Sequence, residues 1–261
     1  MDQSEFKLGI VVMLDALGVR NISKEEVKGF LAKREKLEKT ISENLAEVKK
    51  WSHFQESELT GPSFLTLADT IIIYWPIKKE NPMDLLAVGE LLRRVMKSGF
   101  EQGLLLRGAI GMGEYIQEKN IIIGPVVSDV SNWYERADWA GVIGTPHFGI
   151  RLSLLKEQFR KKFPVETMSA WFDEYNVPLA GEEKHKKHKL WALCWPSAYY
   201  QVEDPEKVTV SAKENFLTAL KQFTIPIEAF QKFSNTIDFF DWFENKAKEV
   251  ATALKSFTKK S

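Results

Sequence analysis

Lys7–Gly18 reads KLGIVVMLDALG, and the reading of the whole chain turns on it. Lys7–Leu14 is a short apolar run rich in β-branched side chains, the signature of a buried strand. It ends on Asp15, with Gly18 three residues further on. Downstream, Ser23 precedes Lys24-Glu25-Glu26, and a Ser and a Glu three apart make a capping box. Val27, Phe30, Leu31, Leu37, Ile41, Leu45 and Val48 then recur at helical spacing, predicting a helix to about Trp51 with a highly charged outer face. Thr60-Gly61-Pro62 breaks the chain. Ser63–Leu67 and Thr70–Trp75 follow as two strands interrupted near Ala68-Asp69, either one bent strand or a hairpin. Asp69 thus repeats the setting of Asp15: a carboxylate in apolar strand sequence, costly to bury unless paired or metal-bound.

The alternation continues. Asn81-Pro82 opens another helix, with Leu85, Val88, Leu92 and Val95 on one face. Leu104–Ile110 and Asn120–Ile123 are strand-like and separated by Gly111-Met112-Gly113. Val130–Ala137 suits a short helix, Val142–Gly144 a strand, and Gly149–Phe163 a helix. Residues 164–188 read as irregular, Leu190–Trp195 as the last strand, and the chain beyond about Asp204 as two helices broken at Pro226. Alternating strands and helices without tandem repeats predict an α/β (α+β) fold in one domain over residues 1–261. Its core spans about 6–200, with a helical extension from about 205 to 261.

Of the 261 residues, 44% are hydrophobic and 28% charged, enough apolar surface to build a core, which excludes overall disorder. Thirty-six basic residues balance 36 acidic ones, against the basic excess of proteins that coat nucleic acid. Cys194 is the single cysteine, so an internal disulfide and a cysteine-rich zinc site are excluded. There is no run of roughly 18 apolar residues to span a membrane. The opening MDQSEFK lacks the basic start of a signal peptide, so a cytoplasmic protein is expected.

The stretches VVMLDALGV, FLTLADTIIIYW, LLLRGAIGMGEYI and IIIGPVVSDVSNWYERAD occur in an order and spacing that resembles the class III nucleotidyl cyclases. The likeness covers roughly residues 6–145. Within that superfamily WYERADWAGVIGTP looks most like the compact bacterial cyclases of the Pycsar antiphage systems, which make cyclic pyrimidine mononucleotides. The resemblance implies a central, largely antiparallel sheet, ferredoxin-like at its heart and flanked by helices. It implies that Asp15 and Asp69 hold two divalent ions, Mg²⁺ or Mn²⁺, and that the backbone of Ala16, Leu17 and Gly18 approaches the phosphates of a nucleoside triphosphate. The implied reaction is attack of the ribose 3′-hydroxyl on the α-phosphorus with release of pyrophosphate, where positioning and electrostatics carry most of the catalysis. A homodimer with its sites at the interface, and a separate effector activated by the cyclic product, follow from the same likeness.

Departures from the family pattern narrow the reading. Where the family carries Asn and, four residues on, Arg, this chain has Ser128 and Asn132. Asn132 and Arg136, an i,i+4 pair if helical, are alternatives for the ribose and phosphate contacts. Purine cyclases carry Lys at the places of Leu65 and Ser63, and an Asp at the place of Pro125. Their loss disfavours a purine site and fits UTP or CTP. Arg107, next to Gly108, either reaches the triphosphate or serves a surface or interface. His185 and His188 sit in the Lys-rich run Glu182–Lys189, a solvated loop rather than a metal site, and His53 and His147 have no matching Cys or His to share a metal with. Gly108, Gly111 and Gly113 have no following Lys-Ser/Thr and make no Walker loop. Trp133, Trp139, Trp191 and Trp195 fit core packing better than base stacking. Two further readings stay open: a non-catalytic cyclase-like regulator and a purine cyclase. A template-directed polymerase of related fold would need a template groove or a GGDEF-like motif, and the sequence shows neither.

Overall fold

A computed structural model describes residues 5–19, 23–48, 62–77, 82–160, 169–181, 187–200, 211–223, 225 and 227–258. β1 (Lys7–Ala16) is an interior strand of a mixed sheet. After it come α1 (Lys24–Val48), β2 (Ser63–Leu67), β3 (Thr70–Pro76), α2 (Pro82–Glu101) and β4 (Leu106–Glu118). The strands lie in the order β2-β3-β1-β4, each antiparallel to its neighbour. A β-α-β-β-α-β chain path in that order is the ferredoxin-like arrangement the sequence leads one to expect. The other edge is extended by β6 (Val142–Gly144), parallel to β4, then β8 (Lys187–Leu193) and β7 (Phe172–Pro178). β5 (Ile121–Ile123) folds back on β4.

Residues directly opposite on antiparallel strands share a face of the sheet. On one face Ile10, Val12 and Leu14 lie beside Trp75, Ile73 and Ile71, all fully or almost fully buried. α2 packs there, the space beside its Gly99 being taken by Leu106. α1 lies alongside α2 and opens on the expected capping box, with Ser23 N–H on Glu26 Oε2 at 2.9 Å and Glu26 N–H on Ser23 Oγ at 3.3 Å. On the opposite face, with Asp15 and Arg107, lies α3 (Pro125–Trp133), whose Val126 and Val130 rest on Gly111. The chain continues through α4 (Pro146–Arg160).

Several boundaries differ from the sequence reading. β4 runs through Gly111-Met112-Gly113 to Glu118 instead of stopping at Ile110. A Cβ on Gly111 would sit 2.6 Å from Val130 Cγ2, so this glycine marks a helix packed flat on the strand, not a break. α3 begins at Pro125, with Gly124 as its cap, and ends at Trp133, in place of a helix over Val130–Ala137. The stretch read as irregular contains β7, and Lys187–Lys189 belong to β8, not to a loop. His53 and His185 lie outside the described residues.

The expected pair of C-terminal helices is present as α5 (Ser211–Leu220) and α6 (Phe230–Thr258); Pro226, taken as the break, lies outside the described residues. α6 is fastened by polar contacts as well as by its aromatic face. Asn235 donates to Asp138 O at 2.7 Å, Ala140 N–H donates to Thr236 Oγ1 at 2.9 Å, and Lys246 pairs with the buried Asp173 of β7. One continuous apolar cluster runs from β1 to Phe239 and Phe240 of α6. Among the described residues no helix is long and apolar enough to cross a membrane.

Candidate active site

Asp15 is the penultimate residue of β1, opposite Thr70 of β3 and Arg107 of β4, with only 7% of its surface exposed. Ala68 and Asp69 form the turn between β2 and β3, so the interrupted strand is a hairpin, and Ala68 holds a left-handed φ of 51°. That turn brings Asp69 close enough to Asp15 for the two carboxylates to interact. Burial pushes the Asp15 carboxyl above its ordinary range; Arg107 pulls it back in part, and the charge of Asp69 raises it again.

Arg107 is nearly buried, its side chain 11% exposed, and it faces inward rather than to a surface. Its Nε and Nη2 donate to the same oxygen, Asp15 Oδ2, at 3.2 and 3.0 Å. Its Nη1 donates to the carbonyl of Glu135 at 2.8 Å, and Nη2 lies 3.8 Å from Glu135 Oε2. Tyr134 donates its hydroxyl to Glu135 Oε1 at 3.0 Å. Burial, followed by Glu135 and the charge of Asp15, pushes the Tyr134 phenol up, so it remains a donor at neutral pH. On the hairpin side Arg34 of α1, in contact with Glu38, donates to Thr70 O at 3.5 Å and braces the turn that carries Asp69.

The remaining expected residues are placed differently. Ala16 is buried within β1, and Leu17 N–H donates to Leu105 O at 2.8 Å, so that amide is spent on the fold instead of on a phosphate. Gly18 has a φ of 88°, with nothing near the place of a Cβ, and its side of the loop is open. Ser128 and Asn132 are exposed on α3. Arg136 is not on that helix: α3 ends at Trp133, and Arg136 lies in the following turn, with its N–H on Trp133 O and its carbonyl accepting from Ala180 N–H. The expected helical Asn132–Arg136 pair is therefore absent. Both residues are exposed, and no described hydrogen bond or ion pair joins either to Asp15 or Asp69.

Glu135, Tyr134 and Arg34 were not legible as site residues. Arg34 is one cation among many on a charged helix, Glu135 meets Asp15 through Arg107, 28 residues away in sequence, and Tyr134 is steadied by Glu135. Two carboxylates side by side form a hard-oxygen donor set suited to Mg²⁺ or Mn²⁺, which bind through one or two carboxylates and take further ligands from water and phosphate. Among the described residues no cluster of three or more His, Cys, Asp or Glu is arranged to hold an ion unaided.

No protein-family model matches the chain, and no curated protein matches it in sequence. Among solved structures it is similar to the guanylyl cyclase domain of the RhoGC fusion protein of Blastocladiella emersonii, at 11% identity and a TM-score of 0.48, over 72% of this chain and 96% of that one. It is similar to the guanylate cyclase domain of RhGC from Catenaria anguillulae, solved with GTP, at 10% identity, a TM-score of 0.45, and 72% and 97% coverage. It is similar also to an adenylate/guanylate cyclase/hydrolase of Silicibacter pomeroyi, at 12% identity, a TM-score of 0.42, and 72% and 97% coverage. Identities of 10–12% transfer no residue's role to this chain.

Proposed function

We propose that this protein is a metal-dependent nucleotidyl cyclase that turns a nucleoside triphosphate into a 3′,5′-cyclic nucleotide and pyrophosphate. The observation that carries the reading is the meeting of Asp15 and Asp69, 54 positions apart in sequence, at one end of the central sheet. Both would hold divalent ions, which when bound neutralise phosphate charge and stabilise the leaving pyrophosphate. Arg107 fixes the orientation of the Asp15 carboxylate through two hydrogen bonds to Oδ2. The β2–β3 turn, braced by Arg34, fixes Asp69 against it. The open side of Gly18 leaves room for a phosphate to approach the backbone. In the reaction the 3′-oxygen bonds to the α-phosphorus, the bond to the β-phosphate oxygen breaks, and the hydroxyl proton leaves to solvent.

The pyrimidine reading extends this proposal. Leu65 and Ser63 lie opposite Ile72 and Tyr74 of β3, on the same sheet face as Asp15. They offer a base an apolar wall and a hydroxyl and no ammonium donor, which favours UTP or CTP, with cyclic UMP or cyclic CMP as a messenger for a separate effector in antiphage defence. A non-catalytic nucleotide-binding regulator is the second reading, favoured by Arg107 already seated on Asp15 and by Ser128 and Asn132 at the family's Asn and Arg places. Purified protein incubated separately with ATP, GTP, CTP and UTP, with Mg²⁺ or Mn²⁺, is expected to yield a cyclic mononucleotide from one pyrimidine triphosphate, resolved by liquid chromatography and mass spectrometry. A purine product would keep the cyclase and discard the base-pocket reading. Nucleotide binding without any product would put the regulator first.

The exposed Asn132 and Arg136 suit a homodimer in which they serve the site of the other subunit. Mixing Asp15→Ala protein with Arg136→Ala protein is then expected to restore part of the activity that each has lost. No recovery, with subunit exchange demonstrated by differently tagged chains, would remove Arg136 from that role.

A further inference from the structure

The side chains around Asp15 supply more than a place for an ion. The Arg107 guanidinium is almost buried and both of its contacts to Asp15 fall on one oxygen, Oδ2. A guanidinium and a divalent ion repel one another, so they cannot share that oxygen at full strength. A guanidinium so nearly buried cannot simply be left without an anion, because an uncompensated buried charge is strongly unfavourable. Glu135 answers that need. Its carbonyl already holds Nη1 at 2.8 Å, its Oε2 lies 3.8 Å from Nη2, and Tyr134 steadies Oε1 at 3.0 Å. With Nη1 as a pivot, a short swing carries Nη2 from Asp15 to Glu135.

We propose that Arg107 is the resident counter-ion of Asp15 and that Glu135 receives it when a divalent ion takes Asp15, which makes Glu135 a positioning residue of the metal site. The proposal rests on the metal-site reading above. In the ion-free protein Arg107 offsets part of the repulsion between two closely placed acids. Once the ion is present, Arg107 on Glu135 no longer opposes it.

The test is Mn²⁺ binding by the full chain, without nucleotide, followed through loss of the free-ion signal in electron paramagnetic resonance. Wild-type protein is expected to bind and Asp15→Asn to lose binding. Glu135→Gln keeps length and an acceptor for Tyr134 but removes the charge, and is expected to weaken Mn²⁺ affinity about tenfold, the scale of outer-shell effects on metal sites. Glu135→Asp is expected to recover most of that loss. Arg107→Gln removes the competing cation and is expected to tighten binding, whereas a mere scaffold arginine would weaken it. In the Arg107→Gln background, Glu135→Gln is expected to have no effect, since its action passes through Arg107.

Unchanged affinity in Glu135→Gln, or additive effects in the double variant, would overturn the exchange while leaving the metal site standing. If Arg107→Gln fails to fold by circular dichroism, the Glu135 pair decides alone, because that side chain is 40% exposed and its loss is tolerable. Absence of Mn²⁺ binding in wild type, or wild-type affinity in Asp15→Asn, would sink the metal reading and the exchange together.

Discussion

Asp15→Ala and Asp69→Ala are each expected to lower cyclic-nucleotide formation by about 10³-fold or more, which corresponds to about 4 kcal/mol of transition-state stabilisation. The reasoning is electrostatic. Closing the ring builds charge on phosphoryl oxygens, and what answers it must be held in place beforehand. Among the described residues only these two carboxylates meet at the strand end, so neither has a described substitute. The fold is expected to survive. Without Asp15, Arg107 keeps the Glu135 carbonyl and faces the Glu135 carboxylate; Asp69 lies in a partly exposed turn. Unaltered far-UV circular dichroism and a cooperative melt would establish this. Asp15→Asn is the sharper variant, since it retains an oxygen for Arg107 to donate to and loses only the charge. Equal loss in the Ala and Asn variants places the effect on charge. Full activity in either Ala variant would remove that carboxylate from the reaction.

What the sequence made legible follows physical range. β1 was readable because an apolar β-branched run flanked by Asp and Gly is a local signal, and the Ser23–Glu26 box because both partners lie within one helical turn. The two site carboxylates stood out for the same reason, as charges in sequence that otherwise avoids water. β7 was invisible: Phe172–Pro178 carries Asp, Glu, Asn and Pro, and the charge of its buried Asp173 is answered by Lys246, 73 residues later. Gly111 misled in the other direction. It resembled a chain break because no local rule announces that Val126 and Val130 will lie on it. Arg107 is the instructive case, being readable as a site residue but not in its role. Its partners are fixed by the cross-strand register with Asp15 and by the turn after α3, neither of which is written in its neighbours. Leu17 shows the limit of carrying a role across by position, since here its amide is taken by Leu105.

The largest loss of stability from a single truncation is expected at Trp195. Its side chain is fully buried in the 3₁₀ turn Trp195–Tyr199 that follows β8, and it joins elements from distant parts of the chain. Ring centroids lie 4.7 Å from Phe100 of α2, 5.2 Å from Phe216 of α5, and 5.9 Å from Phe240 of α6. Trp195→Ala deletes the largest apolar surface at this junction and leaves a void that its rigid aromatic neighbours cannot fill, at a cost of about 3–5 kcal/mol. Trp195→Phe behaves differently. The indole Nε1 is buried with no hydrogen-bond partner among the described residues. Removing that donor returns part of a desolvation cost of about 1–3 kcal/mol, offsetting the smaller loss of packing. The Phe variant is therefore expected within about 1 kcal/mol of wild type. Urea unfolding checks both, through a lower midpoint with an unchanged slope in the Ala variant. A reduced slope, with tryptophan fluorescence and far-UV signals unfolding apart, would show instead that α5 and α6 melt separately from the sheet. In that case the aromatic junction would be a docking contact between two cooperative units, not the shared core that its buried rings make it.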